Sequence, residues 1–547
     1  MNHHPTPTVS HHSLPLVNNG SLPVVATAHG AVRGLRRGDT TAFLNIPYAA
    51  APRGAGRFAP PQPHEPWDGV RDATVPGPNA PQSERKLGSI DMSPYFGTGW
   101  SRGEDYLTVN VFTPAVAEGD LPVMVFVHGG GFVAGSTRSA LYDGSAFARD
   151  GVVLVTLNYR LGIAGFLDLP GAPANRGLLD VVAALHWVKE NIAAFGGDPH
   201  NVTLFGQSAG ATIVGGVLAT PEAAGLFRTP EATGLFRRAI IQSGSGLGAF
   251  TTEQAARVTQ AAAAALGIEP HVDAFAEIPD ERLVEAASRL AGIDLQTATH
   301  HDPLIGLSPF SLVLDTQPAE SVAAGHSADI DLLIGTNTEE GNLYLVPVGR
   351  YATSTAEDVD DAAARSHPEP ALLVETYRTT RPEASFGELR SALMGDALFG
   401  AGSWALAGAH TAHSRSATYA YEFAWRSQAL NGQLGATHAV ELPFVFDLAH
   451  LPELHGPAAL LGPDKPPTDL AARMHAAWVR FARTGNPGWA PYDTERRATM
   501  RIDAEWTQVD DPRSQERHAW RCPSSARPPT SAMTGECRRA GAGPGRW

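Results

Sequence analysis

The chain has 547 residues, of which 43% are hydrophobic, enough to bury a large core. Its formal net charge of −15 comes from 56 acids against 41 bases, which argues against a nucleic-acid-binding protein, because such proteins usually carry a basic excess. No segment approaches the length of an apolar membrane span, so we expect a protein without one.

Residues 1–22 are predicted to be a disordered tail. The segment is rich in Pro, Thr, Ser and His and lacks a basic region followed by an apolar one, so no signal peptide is expected and a cytoplasmic location is predicted. Its paired histidines could hold a metal, although a tail without a bound metal is the favoured interpretation. These histidines are His3, His4, His11 and His12.

Short runs of β-branched and apolar residues recur along the chain. Runs that are apolar on both faces are typical of central strands in a parallel sheet covered by helices on both sides. Because helical segments alternate with them, the pattern predicts a doubly wound α/β sheet. The predicted strands are 123–127, 152–159, 202–205, 239–242 and 330–336.

One long crossover helix is predicted over 177–197. Its apolar residues recur at helical spacing on one face, from Leu178 to Ile192, and Gly196 and Gly197 are expected to end it.

A nine-residue unit is duplicated after the serine motif described below. TPEAAGLFR at 220–228 is followed at once by TPEATGLFR at 229–237. Two copies are too few for a repeat architecture, so we interpret the second as a local insertion that bulges from the surface.

The remainder of the chain is predicted to form a single domain, 23–521, followed by a disordered tail, 522–547. Both cysteines, Cys522 and Cys537, lie in that tail. The domain therefore holds neither a disulfide nor a cysteine-based metal site.

Three consecutive glycines follow the strand at 123–127, in the motif HGGGF at 128–132. Without side chains, their N–H groups can approach a substrate oxygen and stabilise an oxyanion. A flexible glycine turn is the alternative. A dinucleotide-binding loop is excluded because G-x-G-x-x-G and a following helix are both missing.

The motif GQSAG at 206–210 follows the strand VTLF and precedes a predicted helix. A strand that runs into a helix through G-x-S-x-G is typical of a nucleophile elbow. The tight turn strains the backbone at Ser208, and the absence of side chains at Gly206 and Gly210 allows strand and helix to approach. The serine Oγ is then expected at the carboxyl edge of the sheet, beside a helix N-terminus that favours negative charge.

Together these motifs resemble the type-B carboxylesterase/lipase family, the cholinesterase-like branch of the α/β-hydrolases, and most of all its bacterial para-nitrobenzyl-type esterases. The resemblance covers about Gly30 to Arg521 and implies an α/β-hydrolase fold, with a mostly parallel central sheet, helices on both faces and large insertions. Besides HGGGF and the serine motif, matching stretches include NIPYAAAP (45–52), EDYLTVNVFTP (104–114), NYRLGIAGFL (158–167), GTNTEEG (335–341), THAVELPFVF (437–446) and AAWVRFARTGNP (476–487).

The resemblance also implies the site residues. Ser208 is expected to be the nucleophile, Glu340 the acid of a catalytic triad and His438 its base, in the chain order of α/β-hydrolases. Glu339 is the alternative acid, and twenty other histidines compete with His438. The expected oxyanion-hole N–H groups belong to Gly130, Gly131 and Ala209.

The implied function is that of a serine carboxylic ester hydrolase. It would cleave neutral, small to medium esters through an acyl-enzyme at Ser208, with a small-molecule ester as its partner and no metal or organic cofactor. Two alternatives stay open. The same triad could act on amides, carbamates, thioesters or lactones, or the chain could be a catalytically impaired, esterase-like binding protein.

Several positions are judged against the family pattern. Gln207 replaces the glutamate common before the nucleophile, which predicts weak preference for cationic choline-type esters. Tyr106 replaces a cysteine, so the family disulfide is absent. Arg160 and Asp180 match a structural buried ion pair. Ser243 matches a serine behind the triad, with an ordinary turn serine as the equal alternative.

Overall fold

In the computed structural model, residues 22–97, 99–114, 119–219 and 234–521 are described, and they form two β-sheets. The smaller sheet has the order β1-β2-β5, and the larger has eleven strands in the order β14-β13-β12-β11-β10-β9-β7-β8-β6-β4-β3. The strands are β1 (Val24–Thr27), β2 (Gly30–Arg33), β3 (Leu35–Arg37), β4 (Thr40–Pro47), β5 (Val70–Asp72), β6 (Thr108–Thr113), β7 (Leu121–Val127), β8 (Val153–Leu157), β9 (Gly197–Gln207), β10 (Arg238–Gln242), β11 (Asp331–Asn337), β12 (Thr418–Phe423), β13 (Thr499–Ile502) and β14 (Thr507–Val509).

The middle of the large sheet is parallel, as the apolar runs predict. Every neighbouring pair from β8 through β7, β9, β10, β11 and β12 to β13 is parallel, and only the outer pairs are antiparallel. All five predicted strands form, although β9 begins earlier than expected, at Gly197, and β8 ends earlier, at Leu157.

Helices surround the large sheet. They are α1 (Ser93–Phe96), α2 (Ser145–Arg149), α3 (Gly162–Phe166), α4 (Arg176–Asn191), α5 (Ala209–Ala219), α6 (Thr252–Leu266), α7 (Val272–Ala276), α8 (Asp280–Arg289), α9 (Pro318–Ala323), α10 (Asn342–Leu345), α11 (Ala356–Ser366), α12 (Pro370–Thr380), α13 (Phe386–Gly395), α14 (Ala401–His413), α15 (Leu442–Val445), α16 (Leu470–Thr484) and α17 (Ser514–Ala519). The predicted helix 177–197 corresponds to α4 and a 3-10 turn, Ile192–Phe195, which Gly196 ends at φ +87°.

The alternation of side chains along β7 divides the core between the two faces of the sheet. Val123, Val125 and Val127 belong to one buried apolar cluster, whereas Met124 and Phe126 belong to the other. Both sets are fully buried because successive residues of a strand point to opposite faces. A central parallel strand must therefore be apolar throughout, which is the pattern that identified it.

The order of the central strands places the site. β7 lies between β8 and β9, although the chain visits them in the order β7, β8, β9. The chain direction across the sheet reverses there, and in open α/β sheets ligands bind at such a switch point, outside the carboxyl ends of the strands. The glycine motif follows β7 and Ser208 follows β9, so both lie at this edge.

A fully buried ion pair joins the chain after β8 to α4. The Arg160 guanidinium donates to both oxygens of the Asp180 carboxylate, from Nη2 at 2.7 Å and from Nε at 2.9 Å. Nη1 also donates to the carbonyls of Arg57 and Ala59, so the buried charges are paired and their donors are satisfied. The ion pair expected at these positions is present.

Some predictions fall on residues that the structure does not describe. Both predicted tails, apart from Leu22, lie outside the described residues, as do the four N-terminal histidines, both cysteines and most of the duplication, 220–233. Within the described ranges, no helix is long and apolar enough to cross a membrane. The division into one domain, 23–521, stays a prediction.

The variant Asp180→Asn should lower the free energy of unfolding by about 3–5 kcal/mol, because it leaves the Arg160 charge buried without its partner. Asp329→Asn is the matched control, since the Asp329–Arg415 pair is exposed to water and salt and should contribute little to the free energy of unfolding. Thermal and denaturant unfolding measure both variants. Equal losses for the two would contradict a structural role for the buried pair.

Candidate active site

Ser208 occupies the turn between β9 and α5. Its backbone lies in the left-handed region at φ +57°, which is strained for a serine. The Ser208 N–H donates to the Gln242 carbonyl of the neighbouring strand β10 at 2.9 Å, and the Ser208 carbonyl accepts the first bond of α5, from Thr212. The turn is therefore held on both sides, and Oγ is directed out of the sheet.

The two glycines of the serine motif are required by close backbone contacts. A Cβ on Gly210 would lie 2.1 Å from the Val127 carbonyl oxygen at the end of β7. A Cβ on Gly206 would lie 2.6 Å from the carbonyl carbon of Gly210. Any side chain at either position would push strand and helix apart, which explains the pattern G-x-S-x-G in this sequence.

Ser208, His438 and Glu340 form one chain of contacts. His438 Nε2 lies 2.8 Å from Ser208 Oγ, and His438 Nδ1 lies 2.6 Å from Glu340 Oε2. Glu340 follows β11 and His438 lies between β12 and α15, so all three side chains lie at the carboxyl edge of the sheet. His438 and Glu340 are buried, whereas Ser208 is half-buried at the pocket floor. The structure thus brings together the three residues that the sequence singled out.

Glu340 is held by two further donors. Ser243 Oγ donates to Glu340 Oε1 at 2.5 Å, and the Asn337 N–H donates to the same oxygen at 2.7 Å. Ser243 therefore contacts the carboxylate and is not merely a turn serine. The neighbouring Glu339 points elsewhere, where it pairs with Arg426 and accepts the Ala436 N–H at 2.8 Å.

Three backbone N–H groups border the same pocket without an acceptor among the described residues. They belong to Gly130, Gly131 and Ala209, the last at the N-terminus of α5. Gly130 and Gly131 have φ values of +121° and +62°, and a Cβ on Gly130 would lie 2.0 Å from the Ala134 carbonyl oxygen. Donors left free in this way can bind a developing oxyanion.

His128, which begins the glycine motif, is a neutral structural residue. Its ring stacks on Tyr159 with centroids 4.5 Å apart, and its Nδ1 lies 2.8 Å from the Gly129 carbonyl oxygen. Burial lowers the pKa of His128 to about 4, so the imidazole carries no charge beside the glycines at neutral pH.

Gln207 lies beside the histidine. Its side chain is buried, with Nε2 at 3.3 Å from His438 Nε2. The described residues that line the pocket include no Asp or Glu. No other side chain of the lining therefore supplies the negative charge that a glutamate at position 207 would bring.

The pocket above Ser208 is mainly apolar. Its lining includes Met92, Phe96, Phe132, Leu307, Leu398 and Phe399. Phe399 stacks face to face on the His438 ring, with centroids 4.3 Å apart and an interplanar angle of 7°. It lies in a π-helical segment, Asp396–Gly400, that joins α13 to α14. Sequence reasoning missed this contact, since a phenylalanine in an apolar helix gives no sign of it.

A second carboxylate, Glu441, lies fully buried behind the site. Its oxygens accept from Asn337 Nδ2 at 2.7 Å and from Gln242 Nε2 at 3.2 Å. Burial, followed by the nearby charge of Glu340, raises the pKa of Glu441 to about 7, against the opposing bond from Asn337. Sequence reasoning also missed this residue, although it lies three positions after His438 in a quoted motif.

Candidate metal ligands do not gather anywhere in the part of the chain that the structure describes. It contains no group of three or more His, Cys, Asp or Glu side chains placed to hold an ion.

The sheet, the serine turn and the order of Ser208, Glu340 and His438 along the chain define the α/β-hydrolase class. The Carboxylesterase family model matches residues 21–520, and the chain belongs to this family. The protein is accordingly a carboxylic ester hydrolase.

Individual proteins that are similar to this chain are consistent with this family. The chain is 36% identical to a para-nitrobenzyl esterase of Bacillus subtilis over 505 residues, 90% of this chain and 97% of that one. It is 32% identical to a phenmedipham hydrolase of Pseudarthrobacter oxydans, over 88% and 95% of the two chains. A crystal structure of a Geobacillus stearothermophilus carboxylesterase superposes with a TM-score of 0.77 at 36% identity, covering 91% of this chain and 100% of that one.

Glu441→Gln should remove a pH-dependent cost of folding. A folded pKa of about 7 against an ordinary value of 4.5 means that the folded protein holds this proton more tightly. Protonated Glu441 therefore adds its full contribution to the free energy of unfolding below pH 4.5, and this contribution is lost as the pH rises to about 7. Between pH 4.5 and pH 7, the free energy of unfolding of the wild type should therefore fall by about 3 kcal/mol relative to that of the variant.

Denaturant unfolding at intervals from pH 4.5 to pH 8 measures the difference. The variant Glu383→Gln makes the same substitution at an exposed position and is the control for a general effect of replacing a carboxylate with an amide. A gap between Glu441→Gln and wild type that stays constant over the window would show that Glu441 is charged in the folded protein throughout.

Proposed function

We propose that the protein hydrolyses neutral, small to medium carboxylic esters through an acyl-enzyme formed on Ser208. The observation that carries the proposal is the continuous contact from Ser208 Oγ through His438 to Glu340, beside three free backbone donors. A serine hydroxyl is a weak nucleophile until a base accepts its proton, and here a base lies within hydrogen-bond distance.

In the proposed first step, Ser208 Oγ attacks the ester carbonyl carbon while His438 Nε2 accepts its proton. The imidazolium that forms is stabilised by Glu340, which also holds the proton of Nδ1 and so sets the tautomer. The carbonyl oxygen becomes an oxyanion and accepts hydrogen bonds from the N–H groups of Gly130, Gly131 and Ala209.

The intermediate then collapses as His438 returns the proton to the leaving alkoxide, and the alcohol departs. Water hydrolyses the acyl-enzyme by the same route, with His438 first as base and then as acid, which restores Ser208. Each step uses only side chains and N–H groups of the chain, so we propose no cofactor.

The proposed size of the substrate, a small to medium ester, follows from the pocket. The cavity at Ser208 measures about 70 Å³, room for a short acyl or alcohol group, and a neighbouring cavity of about 310 Å³ can take a longer one. Amides, carbamates, thioesters and lactones use the same chemistry and remain alternative substrates. A cytoplasmic location is part of the proposal.

The variant Ser208→Ala should lower turnover of para-nitrophenyl acetate and butyrate by at least about 10⁴-fold, because it removes the nucleophile. Mass spectrometry of the quenched wild-type reaction should find one acyl group on the peptide that carries Ser208, and none in the variant. Equal activity of the two proteins would exclude Ser208 as the nucleophile.

Glu340→Gln should lower kcat by roughly 10⁴-fold, as expected when the tautomer and the imidazolium lose their carboxylate. Glu339→Gln is the matched control at the adjacent position, and its kcat should stay within about threefold of wild type, since Glu339 pairs with Arg426. If Glu339→Gln lowered kcat strongly and Glu340→Gln did not, Glu339 would be the acid of the triad.

Gln207→Glu should raise the ratio of kcat/KM for acetylcholine to kcat/KM for 3,3-dimethylbutyl acetate by about tenfold, because it places a carboxylate near the pocket. The two esters have the same shape and differ in charge, so general effects of the variant on His438 cancel in the ratio. An unchanged ratio would show that Gln207 does not set the response to cationic esters.

A further inference from the structure

Arg85 introduces a positive charge into an otherwise apolar pocket. It lies in the segment between β5 and α1 and lines the same cavity as Ser208 and His438. Apart from His438, it is the one titratable cationic side chain among the described lining residues, and no carboxylate accompanies it there.

The guanidinium lies directly against the glycine loop. Arg85 Nη1 donates to the Gly130 carbonyl at 2.7 Å, and a Cβ built on Gly131 would lie 2.8 Å from the same nitrogen. The charge also lies over the Phe96 ring, 5.6 Å from its centroid. Because Gly130 and Gly131 border the reacting carbonyl in the proposed mechanism, the guanidinium is only a few bond lengths from the substrate.

No carboxylate in the described part of the chain neutralises the charge of Arg85. It forms no ion pair with any carboxylate in the described ranges, and its neighbour Glu84 pairs with Lys86 at the surface. Arg85 is half-buried, and this partial burial lowers the pKa of its guanidinium, because part of the water that would stabilise the charge is displaced. A guanidinium nevertheless stays protonated, so an anion that reached it would offset this loss.

Two fully buried arginines, Arg160 and Arg176, have their donors satisfied by the protein, unlike the half-buried Arg85. Arg160 is paired with Asp180. Arg176 donates to the carbonyls of Ile163, Ala164, Leu167 and Pro173, which engage its whole fork. Arg85 has a single hydrogen bond among the described residues, so most of its N–H groups stay available to a ligand.

A second cavity gives a charged substrate group room. This cavity of about 310 Å³ shares Arg85, Leu87 and Leu307 with the pocket at Ser208. Its lining also holds Lys86 and two carboxylates, Glu84 and Asp280, so Arg85 is the cationic group that faces both spaces. The guanidinium therefore lies at the junction of the two spaces. A flexible chain that leaves the ester carbonyl toward the larger cavity passes it.

We propose that Arg85 is a specificity-determining residue that binds an anionic group of the substrate, so that esters carrying a carboxylate a few bonds from the ester carbonyl are accepted in preference to neutral esters of the same shape. This proposal rests on the proposed function, because it assigns a substrate class to the same site. A carboxylate can accept two parallel N–H bonds from a guanidinium, a geometry that lysine does not offer.

The wild-type enzyme provides the first test. Three methyl esters, monomethyl glutarate, methyl pentanoate and methyl 4-(trimethylammonio)butanoate, place a negative, neutral or positive group at one position on the acyl side. On the alcohol side, 4-acetoxybutanoate is compared with butyl acetate. On at least one side, we expect kcat/KM of the anionic ester to exceed that of its neutral counterpart by about tenfold. On the acyl side, the cationic ester should fall below methyl pentanoate.

Variants then locate the effect. Arg85→Met should lower the ratio of kcat/KM for the anionic ester to that for the neutral ester by about tenfold or more. Arg378→Met is the matched control, since it makes the same substitution at an exposed arginine of α12 that lines neither cavity, and it should change the ratio by less than about twofold. Hydrolysis is followed by proton release at constant pH, without a chromogenic leaving group.

The outcomes separate the two proposals. If methyl pentanoate and butyl acetate are not hydrolysed, or are hydrolysed equally by Ser208→Ala, the proposed function fails. If neutral esters are hydrolysed by way of Ser208 but the ratio is unchanged in Arg85→Met, Arg85 only positions Gly130 and the present proposal is overturned. If Arg85→Met does not fold, the wild-type order decides, and a cationic ester used as well as the anionic one overturns the proposal.

Discussion

The site depends on the close approach of two backbones, the end of β7 and the start of α5. A carbonyl of β7 lies where a Cβ of Gly210 would be, and Gly206 in turn contacts Gly210. This contact fixes the sharp turn and the positive φ of Ser208. It also brings the glycine loop after β7 beside the helix N-terminus, so that nucleophile, free N–H groups and pocket arise from one packing constraint at the switch point of the sheet.

The features that the sequence predicted are those encoded locally or in a family motif. Central strands were recognisable because both of their faces are buried, and the serine turn because its glycines are required by contacts within a few ångströms. The choice of Glu340 over Glu339 needed the motif, since adjacent acids are equivalent in composition. In the structure they face opposite ways, one toward His438 and the other toward Arg426.

Other features depend on tertiary placement and had no local signal. The segment that carries Arg85 has no regular secondary structure there, so nothing in its sequence directs the guanidinium toward Gly130. Glu441 is one acid among many until the fold buries it behind Glu340. The lower boundary of β9 was also missed, because Gly197 and its polar neighbours do not resemble a strand and join the sheet through pairing with β7.

The π-helical segment also affects how the two helices that it joins, α13 and α14, pack against the rest of the protein. A π turn holds one residue more than an α turn, and one residue corresponds to about 100° of rotation around a helix axis. Because of the extra residue, one continuous helical path can present two different faces. Its first part, α13, packs against α10 and α11, whereas its second part, α14, packs against α9, β11 and β12. Deleting a single residue from Asp396–Gly400 would rotate one of these faces out of its contacts, and Phe399 off the imidazole.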